Sequence, residues 1–241
     1  MQGFFIRLSL PNMLKNKKTI AALLTIFWVL LLDQCLKIYI KTHYRLGDET
    51  QITSWFHLHF IENEGMAFGL KLAGSSGKLI LTLFRIVAVT FIALYLRKLI
   101  KTQQHIGFII CMSMILAGAL GNILDSVFYG VIFNESSFHR LAIMFPPEGG
   151  YAPWLHGKVV DMLWFPMWEG ILPKWFPVWG GEYVSFFDPV FNLADSSITI
   201  GVIAILLFQK MFFKENNKSI SETPVDSTNE FEAHIEYSPK K

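Results

Sequence analysis

Four long apolar segments constrain the fold of this chain more than any other feature of its sequence. They run approximately over 20–40, 79–96, 107–127 and 190–208. Each has the roughly 20 residues that an α-helix needs to cross about 30 Å of hydrocarbon. The composition agrees, since 52% of the residues are hydrophobic and only 17% are charged, which is too apolar for an ordinary soluble domain. We therefore predict an all-α membrane protein with four transmembrane helices.

Clusters of Lys and Arg predict the orientation of these helices, because cations in short loops mark the cytoplasmic side. The clusters precede the first segment, separate the second from the third and follow the fourth: Lys15, Lys17, Lys18, Arg97, Lys98, Lys101, Lys210, Lys214 and Lys218. All of them lie on one side, so we expect a multi-pass protein with both termini in the cytoplasm. The net charge of only +2 gives little support for nucleic-acid binding.

Two loops, about 41–78 and 128–189, are expected to face outward. Within the first, apolar residues alternate with others over 56–61, which predicts a small outward-facing β element. The second is rich in Trp and Pro, so we expect an aromatic-rich outer loop that lies along the membrane surface. Residues 1–213 then form the membrane domain, and the polar tail, 214–241, is predicted to be disordered in the cytoplasm.

Two amide–carboxylate motifs lie at the ends of apolar segments and mark a candidate functional site. They are Asn122-Ile-Leu-Asp125 and Asn192-Leu-Ala-Asp195. An ionisable group inside hydrocarbon costs several kcal/mol, so such residues are functional-site candidates by default. The i,i+3 spacing puts each pair on one helix face, and an amide neighbour can donate a hydrogen bond that orients a carboxylate and favours its ionised form. Helix–helix hydrogen bonding and helix capping are the alternative roles for either motif alone.

Three further ionisable residues belong to the same region. Asp33 and Lys37 are separated by about one helical turn, so they can pair and reduce the cost of burial. At a rise of about 1.5 Å per residue, Asp33, Asp125 and Asp195 converge on the outer third of the membrane. Asp161 follows two β-branched residues, and we expect it at an apolar boundary rather than in bulk water.

These motifs together resemble those of the bacterial lipoprotein signal peptidases, also called signal peptidase II. The resemblance covers the four spans, in the same orientation and with the motifs in the same order. Its boxes are Asp33-Gln34 with Lys37, Asn63-Glu64-Gly65-Met66-Ala67-Phe68-Gly69, Gly121-Asn122-Ile123-Leu124-Asp125, Val159-Val160-Asp161 and Phe191-Asn192-Leu193-Ala194-Asp195. One such box is a weak signal, whereas several in order on a four-span protein are a specific one.

The resemblance implies a membrane aspartyl endopeptidase of the bacterial inner membrane that uses neither a metal nor a cofactor. Its catalytic pair would be Asp161 and Asp195, near the outer face. The substrate-binding or supporting residues would be Asp33, Lys37, Asn63, Gly65, Asn122, Asp125, Asn192 and Ala194. Its partners would be membrane lipids and the signal peptides of prolipoproteins, which it would cut before a cysteine that carries diacylglycerol.

A pair of neighbouring carboxylates suits this reaction on chemical grounds. The two cannot both ionise easily, so one keeps a proton while the other accepts a proton from water. The neutral acid can then polarise the scissile carbonyl while the water attacks it.

Two departures from the family pattern bear on the site. Arginine usually follows the aspartate of the Gly-Asn box, whereas Ser126 follows Asp125 here. Arg85 is a possible substitute, or else a guanidinium that only reaches toward the interface. In addition, 36 positions separate Asp125 from Asp161 (161 − 125), although these boxes nearly abut in the family. We expect the extra segment 134–158 to act as a lid over the site, the alternative being an insertion without a catalytic role.

Two other functions stay open at this point. A proton-coupled transporter, or a small accessory membrane subunit, would also use buried Asp, Asn and Lys. It would need polar groups through the whole membrane, yet the inner halves, 20–31 and 198–208, contain almost none. A non-catalytic scaffold would use the polar residues for helix packing alone. Metalloprotease and rhomboid chemistry are disfavoured, because the sequence has no His-Glu-x-x-His pair and no histidine within a span.

Overall fold

The computed structural model describes residues 16–64, 74–186 and 189–213. It contains four long helices: α1 (Lys17–His43), α2 (Gly74–Lys101), α3 (Ile106–Leu124) and α4 (Leu193–Phe213). A π-helical turn, Asp125–Tyr129, and one α-helical turn, Gly130–Ile132, continue α3. All four helices are long and apolar enough to cross a membrane, so the predicted four-span architecture is confirmed. Residues 65–69 of the Asn63 box, Gly65 among them, and the tail 214–241 lie outside the described residues.

The helices extend beyond the predicted apolar segments, because polar residues continue them at their ends. α1 begins at Lys17, where the side chain of Asn16 accepts a hydrogen bond of 3.0 Å from the backbone N–H of Lys18. We call the end of the bundle that carries Lys17, Arg97 and Lys101 the basic end. The opposite end carries the β-strands, and we call it the sheet end.

α3 is the central helix of the bundle, since α1, α2 and α4 all pack on it. In the apolar window of α3, 56% of the residues are buried, against 17% in each of the other three helices. Glycine permits a close contact between α3 and α4, because a Cβ on Gly118 would lie 2.3 Å from the carbonyl oxygen of Ala194. Small residues at such contacts are typical of membrane helix bundles. The first turn of α4 therefore lies directly against α3.

Three antiparallel strands form the main sheet, in the order β1 (Glu49–Thr53), β2 (Phe56–Asn63) and β3 (Val159–Trp164). The strand predicted from the alternation at 56–61 is confirmed as β2. In the register of β2 and β3, Ile61 lies opposite Asp161 and Asn63 lies opposite Val159. β3 is buried at its start, where Val159 and Val160 are 4% and 0% exposed. Asp161 is therefore held in a buried strand, and its expected position away from bulk water is confirmed.

The aromatic-rich loop contains a second, two-stranded sheet. Its strands, β4 (Trp168–Ile171) and β5 (Tyr183–Phe186), pair as an antiparallel hairpin beyond β3. Large apolar side chains of the hairpin are exposed, and Trp175 is 79% exposed. An exposed aromatic surface fits the predicted position along the membrane, where Trp favours the headgroup layer.

The extra segment 134–158 folds back along the end of α3. Backbone N–H groups of Ala152, Leu155 and Gly157 donate to the carbonyls of Gly130, Val127 and Ser126 at 3.0, 3.2 and 2.8 Å. The last carbonyls of a helix have no partner within the helix, so these bonds satisfy them. A side chain at position 157 would not fit, because a Cβ there would lie 2.1 Å from the carbonyl oxygen of Asp125. This part of the segment is a brace on the end of α3.

Candidate active site

Asp161 of β3 is almost completely buried at the sheet end of the bundle, with 2% of its surface exposed. Its Oδ1 accepts a hydrogen bond of 2.6 Å from Asn192 Nδ2. Burial raises the pKa of Asp161 to about 7, and the negative charge of Asp195 acts in the same direction. Hydrogen bonds from Asn192 and Asn63 to Asp161 oppose this shift. Asp161 can therefore hold or release a proton near neutral pH.

Asp195 lies in the first turn of α4, where Asn192 caps the helix. The backbone N–H of Asp195 donates to Asn192 Oδ1 at 2.9 Å, and the backbone N–H of Asn192 points to Asp195 Oδ2 at 3.4 Å. This reciprocal pairing is a capping box, with Asp in the place of the usual Glu. Asn122 of α3 donates its side-chain N–H to Asp195 Oδ1 at 2.7 Å. The carboxylate of Asp195 is thus held by two elements.

The side-chain N–H groups of the two asparagines cross between the motifs. Asn122 donates to Asp195, and Asn192 donates to Asp161 and, at 3.1 Å, to Asn122 Oδ1. Neither side-chain amide donates to the carboxylate of its own motif, although the i,i+3 spacing would allow it. The physical reason is that Asp125 turns toward α1, where an ammonium group is available. The crossed amides join Asp161 and Asp195 in one hydrogen-bonded chain.

Lys37 of α1 organises a buried charge cluster behind this chain. Its ammonium lies 3.0 Å from Asp33 Oδ2, 2.9 Å from Asp125 Oδ2 and 2.9 Å from Asn122 Oδ1. The expected contact of Asp33 with Lys37 is formed, but the pair is part of a larger cluster with two carboxylates and one ammonium. The side chains of all three charged residues are at most 1% exposed. Through Asn122 the cluster is continuous with Asp195.

The two aspartates of this cluster each hold a backbone position beside a candidate catalytic residue. Asp33 Oδ1 accepts from the N–H of Ala194 at 2.9 Å, and Asp125 Oδ2 accepts from the N–H of Val160 at 3.2 Å. Gly121 makes room for this arrangement, because a Cβ there would lie 2.7 Å from Asp33 Oδ2. The convergence predicted from helix depth is confirmed for these aspartates.

Two residues that sequence reasoning left without a role complete the cluster. Gln34 Nε2 donates to Asp125 Oδ1 at 2.9 Å and to Asp33 Oδ2 at 3.1 Å. Tyr129, in the π-helical turn, donates its hydroxyl proton to Gln34 Oε1 at 3.1 Å. Such turns often occur at functional sites. The position of Gln34 in the polar patch of α1 could have indicated its role, whereas no feature of the sequence indicated a role for Tyr129.

A second buried ion pair, which the sequence did not indicate, ties α1 to β2. Lys41 contacts Glu62, and it also donates to Ser136 Oγ at 2.8 Å. Burial by itself would raise the pKa of Glu62, but the charge of Lys41 and hydrogen bonds from Lys41 and Ser136 hold that pKa below its usual range. Glu62 precedes Asn63, which bonds Asp161. The sequence feature that could have indicated this pair is the spacing of Lys41, which follows Lys37 by four residues and therefore lies on the same face of α1.

Two cavities open beside Asp195. One, of about 260 Å³, lies between α2, α3 and α4 and is lined by Arg85, Asn122 and Asp195 together with apolar side chains. The other, of about 400 Å³, lies along a neighbouring face of α4 and is lined in part by Phe191 and Asp195. Arg85 thus faces the space next to Asp195. Ser126 is buried and donates to the carbonyl of Asn122 at 3.0 Å, so it has a packing role.

Comparison with known proteins identifies a single family. The sequence profile described as Signal peptidase (SPase) II matches residues 25–213. A lipoprotein signal peptidase of Porphyromonas gingivalis is 48% identical over 83% of this chain and 86% of its own length. Another, of Amoebophilus asiaticus, is 34% identical over 85% of this chain and 84% of its own length. A bacterial membrane enzyme of known structure aligns with 78% of this chain and 91% of its own, at 25% identity and a TM-score of 0.49.

Proposed function

The chain belongs to the signal peptidase II family, and from that membership we propose that Asp161 and Asp195 are its catalytic pair. It is a membrane-embedded, multi-pass aspartic endopeptidase that removes signal peptides from prolipoproteins. The transporter alternative is not favoured, because the relatives of this chain are lipoprotein signal peptidases. The observation that carries the proposal for the pair is the hydrogen-bonded chain from Asp161 through Asn192 and Asn122 to Asp195.

In the proposed reaction Asp161 carries the proton and Asp195 acts as the base. A pKa of about 7, raised by burial and by the nearby carboxylate of Asp195, leaves a substantial fraction of Asp161 protonated at pH 7. Asp195 takes a proton from a water molecule, and the water oxygen attacks the scissile carbonyl carbon. Asp161 donates its proton to the carbonyl oxygen as the tetrahedral intermediate forms. Collapse of that intermediate breaks the C–N bond: the proton on Asp195 passes to the leaving amine, and the proton of one hydroxyl of the intermediate returns to Asp161, which restores both carboxyl groups to their starting states.

The supporting residues are proposed to position these two carboxylates rather than to react. Asn122 and Asn192 orient the carboxylates through donated hydrogen bonds. Asp33, Lys37 and Asp125 fix the backbone next to them from the buried cluster. Catalytic groups need such support, because small displacements from the productive geometry cost a large part of the rate.

Asn63 has a third role, since its hydrogen bond to Asp161 lowers the pKa of that carboxyl. Ala194 is proposed to serve through its small size against Gly121, and Gly65 remains a proposal from its box alone.

We assign the substrate as a diacylglyceryl-modified prolipoprotein, cut before the lipidated cysteine. The support is chemical: the cavity beside Asp195 is bounded by transmembrane helices and includes apolar side chains of α2, α3 and α4, which suit an acyl chain. The distribution of charge favours an inner-membrane enzyme with both termini in the cytoplasm. The cations gather at the basic end, which marks the cytoplasmic side, and the two aspartates lie at the sheet end. Residues 1–213 would be the peptidase domain and 214–241 a cytoplasmic tail.

The direct test uses two synthetic prolipoprotein peptides that differ only in the lipid on the cysteine. Purified enzyme in detergent is incubated with each, and the products are weighed by mass spectrometry. The proposal expects cleavage immediately before the diacylglyceryl-cysteine and at least about 100-fold slower cleavage of the unmodified peptide, since loss of a binding group of this size weakens transition-state binding. Equal rates on the two peptides would refute the proposed lipid requirement, and cleavage at another bond would refute the proposed position.

A further inference from the structure

A narrow cavity separates α1 from α2 at the basic end of the bundle, far from the catalytic pair. It has a volume of about 180 Å³. Its walls are apolar, with Ala22 and Ile26 on α1 facing Ala93 and Leu96 on α2. On each helix the lining residues are spaced three or four positions apart in the sequence, so they form one continuous stripe that faces the cavity. We call this cavity the α1–α2 slot.

Two cations line the slot at its basic end. Arg97 and Lys101 are one turn apart on the last turns of α2, and Thr19 lies across from them near the start of α1. Both cations are exposed, and no carboxylate of the described residues lies within ion-pair distance of either. The slot therefore combines an apolar interior with a cationic mouth.

The basic end as a whole has no negative charge in the described part of the chain. Residues 16–32, 86–124 and 196–213 contain six cations, Lys17, Lys18, Arg97, Lys98, Lys101 and Lys210, and no Asp or Glu. Lys18 already donates to the carbonyl of Gln103 at 2.6 Å, which links the start of α1 to the turn after α2. An anion that approaches this end is attracted by the whole cluster, and the slot offers apolar depth beneath two of its charges, Arg97 and Lys101.

We propose that the α1–α2 slot binds one anionic phospholipid. One acyl chain lies between the helices, and the phosphate contacts Arg97 and Lys101. A guanidinium fork suits two phosphate oxygens, and an ammonium one turn away supplies a second charge. Basic pockets between transmembrane helices on the cytoplasmic side are sites of this type. The two cations also anchor the end of α2 at the membrane surface, and a lipid would in addition fill the apolar slot between α1 and α2.

Native mass spectrometry of the delipidated full chain in neutral detergent tests the site. Phosphatidylglycerol and phosphatidylcholine with the same acyl chains are titrated separately, and glycerol phosphate serves as the headgroup without chains. The expected preference for phosphatidylglycerol is about 30-fold for two cations near the membrane surface. Glycerol phosphate is expected neither to bind measurably nor to displace the lipid. Equal affinities for the two lipids, or displacement by glycerol phosphate, would overturn the proposal.

Two variants and a matched control separate the site from the general field of the basic end. Arg97→Gln with Lys101→Gln is expected to reduce the lipid preference to about threefold or less. The control, Lys98→Gln with Lys210→Gln, removes the same charge from the same end at positions that do not line the slot, and it retains the preference. Equal loss in both double variants would show that only the general field attracts the lipid. Ala93→Phe fills the slot without a change in charge and is expected to weaken binding of both lipids at least about tenfold, so undiminished binding there would also contradict the proposal.

Discussion

Asp33 accepts a hydrogen bond of 2.9 Å from the backbone N–H of Ala194, the residue that precedes Asp195. Asp125 makes the equivalent contact with Val160, the residue that precedes Asp161. The two candidate catalytic residues belong to different elements, a strand and a helix, and are 34 positions apart in the chain (195 − 161). A buried aspartate next to each, with Lys37 between them, fixes both backbones to one cluster. The relative position of the pair therefore depends on residues that do not take part in the proposed reaction.

The charge balance of this cluster predicts unequal effects of its members on stability. Asp33→Asn keeps an acceptor for Ala194 and leaves Lys37 paired with Asp125, so we expect a loss of only about 1 kcal/mol. Lys37→Met leaves two buried carboxylates without their ammonium, and we expect a loss of about 3–5 kcal/mol. Thermal unfolding in detergent measures both. Equal losses would show that Lys37 does not balance the two carboxylates.

The raised pKa of Asp161 predicts the pH dependence of activity. The reaction as proposed needs the protonated form, so kcat/KM should fall as pH rises through about 7. Asn63→Ala removes a hydrogen bond that favours the ionised form, so it should move this limb to higher pH. Initial rates from pH 5 to 9 in a mixed buffer give both profiles. An alkaline limb that stays at the same pH in Asn63→Ala would contradict the assigned contact.

The same shift has a defined sign for stability. The folded-state pKa of Asp161, about 7, lies above the ordinary value of 3.8, so the folded state holds this proton more tightly. The contribution of Asp161 to stability is then fully present below about pH 4 and is lost as pH rises to about 7. Asp161→Asn should remove this part of the pH dependence of unfolding.

Arg85 is predicted to bind substrate in the cavity beside Asp195. A guanidinium next to the reacting groups can donate hydrogen bonds to carbonyl oxygens of the bound peptide or of the lipid ester. We expect Arg85→Met to raise KM at least about tenfold and to change kcat less than about threefold, the pattern of a lost ground-state contact. Arg140→Met, which removes an exposed guanidinium in the 134–158 segment, is the control and should change neither constant. A fall in kcat alone would assign Arg85 to the chemical step instead.

The segment 134–158 gives different expectations as a brace and as a lid. The lid stays a prediction from sequence, whereas the backbone bonds from Ala152, Leu155 and Gly157 to the end of α3 favour a brace. A brace keeps these amides protected from hydrogen exchange with and without substrate. A lid opens, so the same amides would exchange fast in the free enzyme and slowly in the complex. Hydrogen-exchange mass spectrometry of peptides from this segment distinguishes the two.

Sequence reasoning found the parts of the site that follow from helical geometry. Hydropathy located the spans, and the depth of Asp33, Asp125 and Asp195 along them brought these residues to one level. The i,i+4 spacing also predicted that Asp33 meets Lys37, which it does at 3.0 Å. Such relationships need only one helix or the common frame of the membrane, so they can be read from the chain.

The contacts that sequence reasoning missed depend on tertiary packing. Whether Asn122 donates to Asp125 or to Asp195 is decided by α1, because Lys37 and Gln34 occupy the carboxylate of Asp125. The brace on α3 is made by backbone groups, which have no side-chain signature apart from the glycines that fit it. Lys41 meets Ser136 across 95 positions of the chain, a pairing that neither residue indicates by itself.

The most direct measurement for the account is single-turnover cleavage of a lipidated prolipoprotein peptide by Asp161→Asn and Asp195→Asn. Asparagine keeps the size and can still form the hydrogen bonds with Asn192 and Asn122, but it can neither give nor take the required proton. Thermal unfolding confirms that each variant is folded. Each variant is expected to lose at least about 1,000-fold in rate, while Ser126→Ala, next to Asp125 but outside the proton path, is expected to stay within about tenfold of the parent. Turnover within about tenfold of the parent by a folded Asp161→Asn or Asp195→Asn would contradict the catalytic role of that carboxylate.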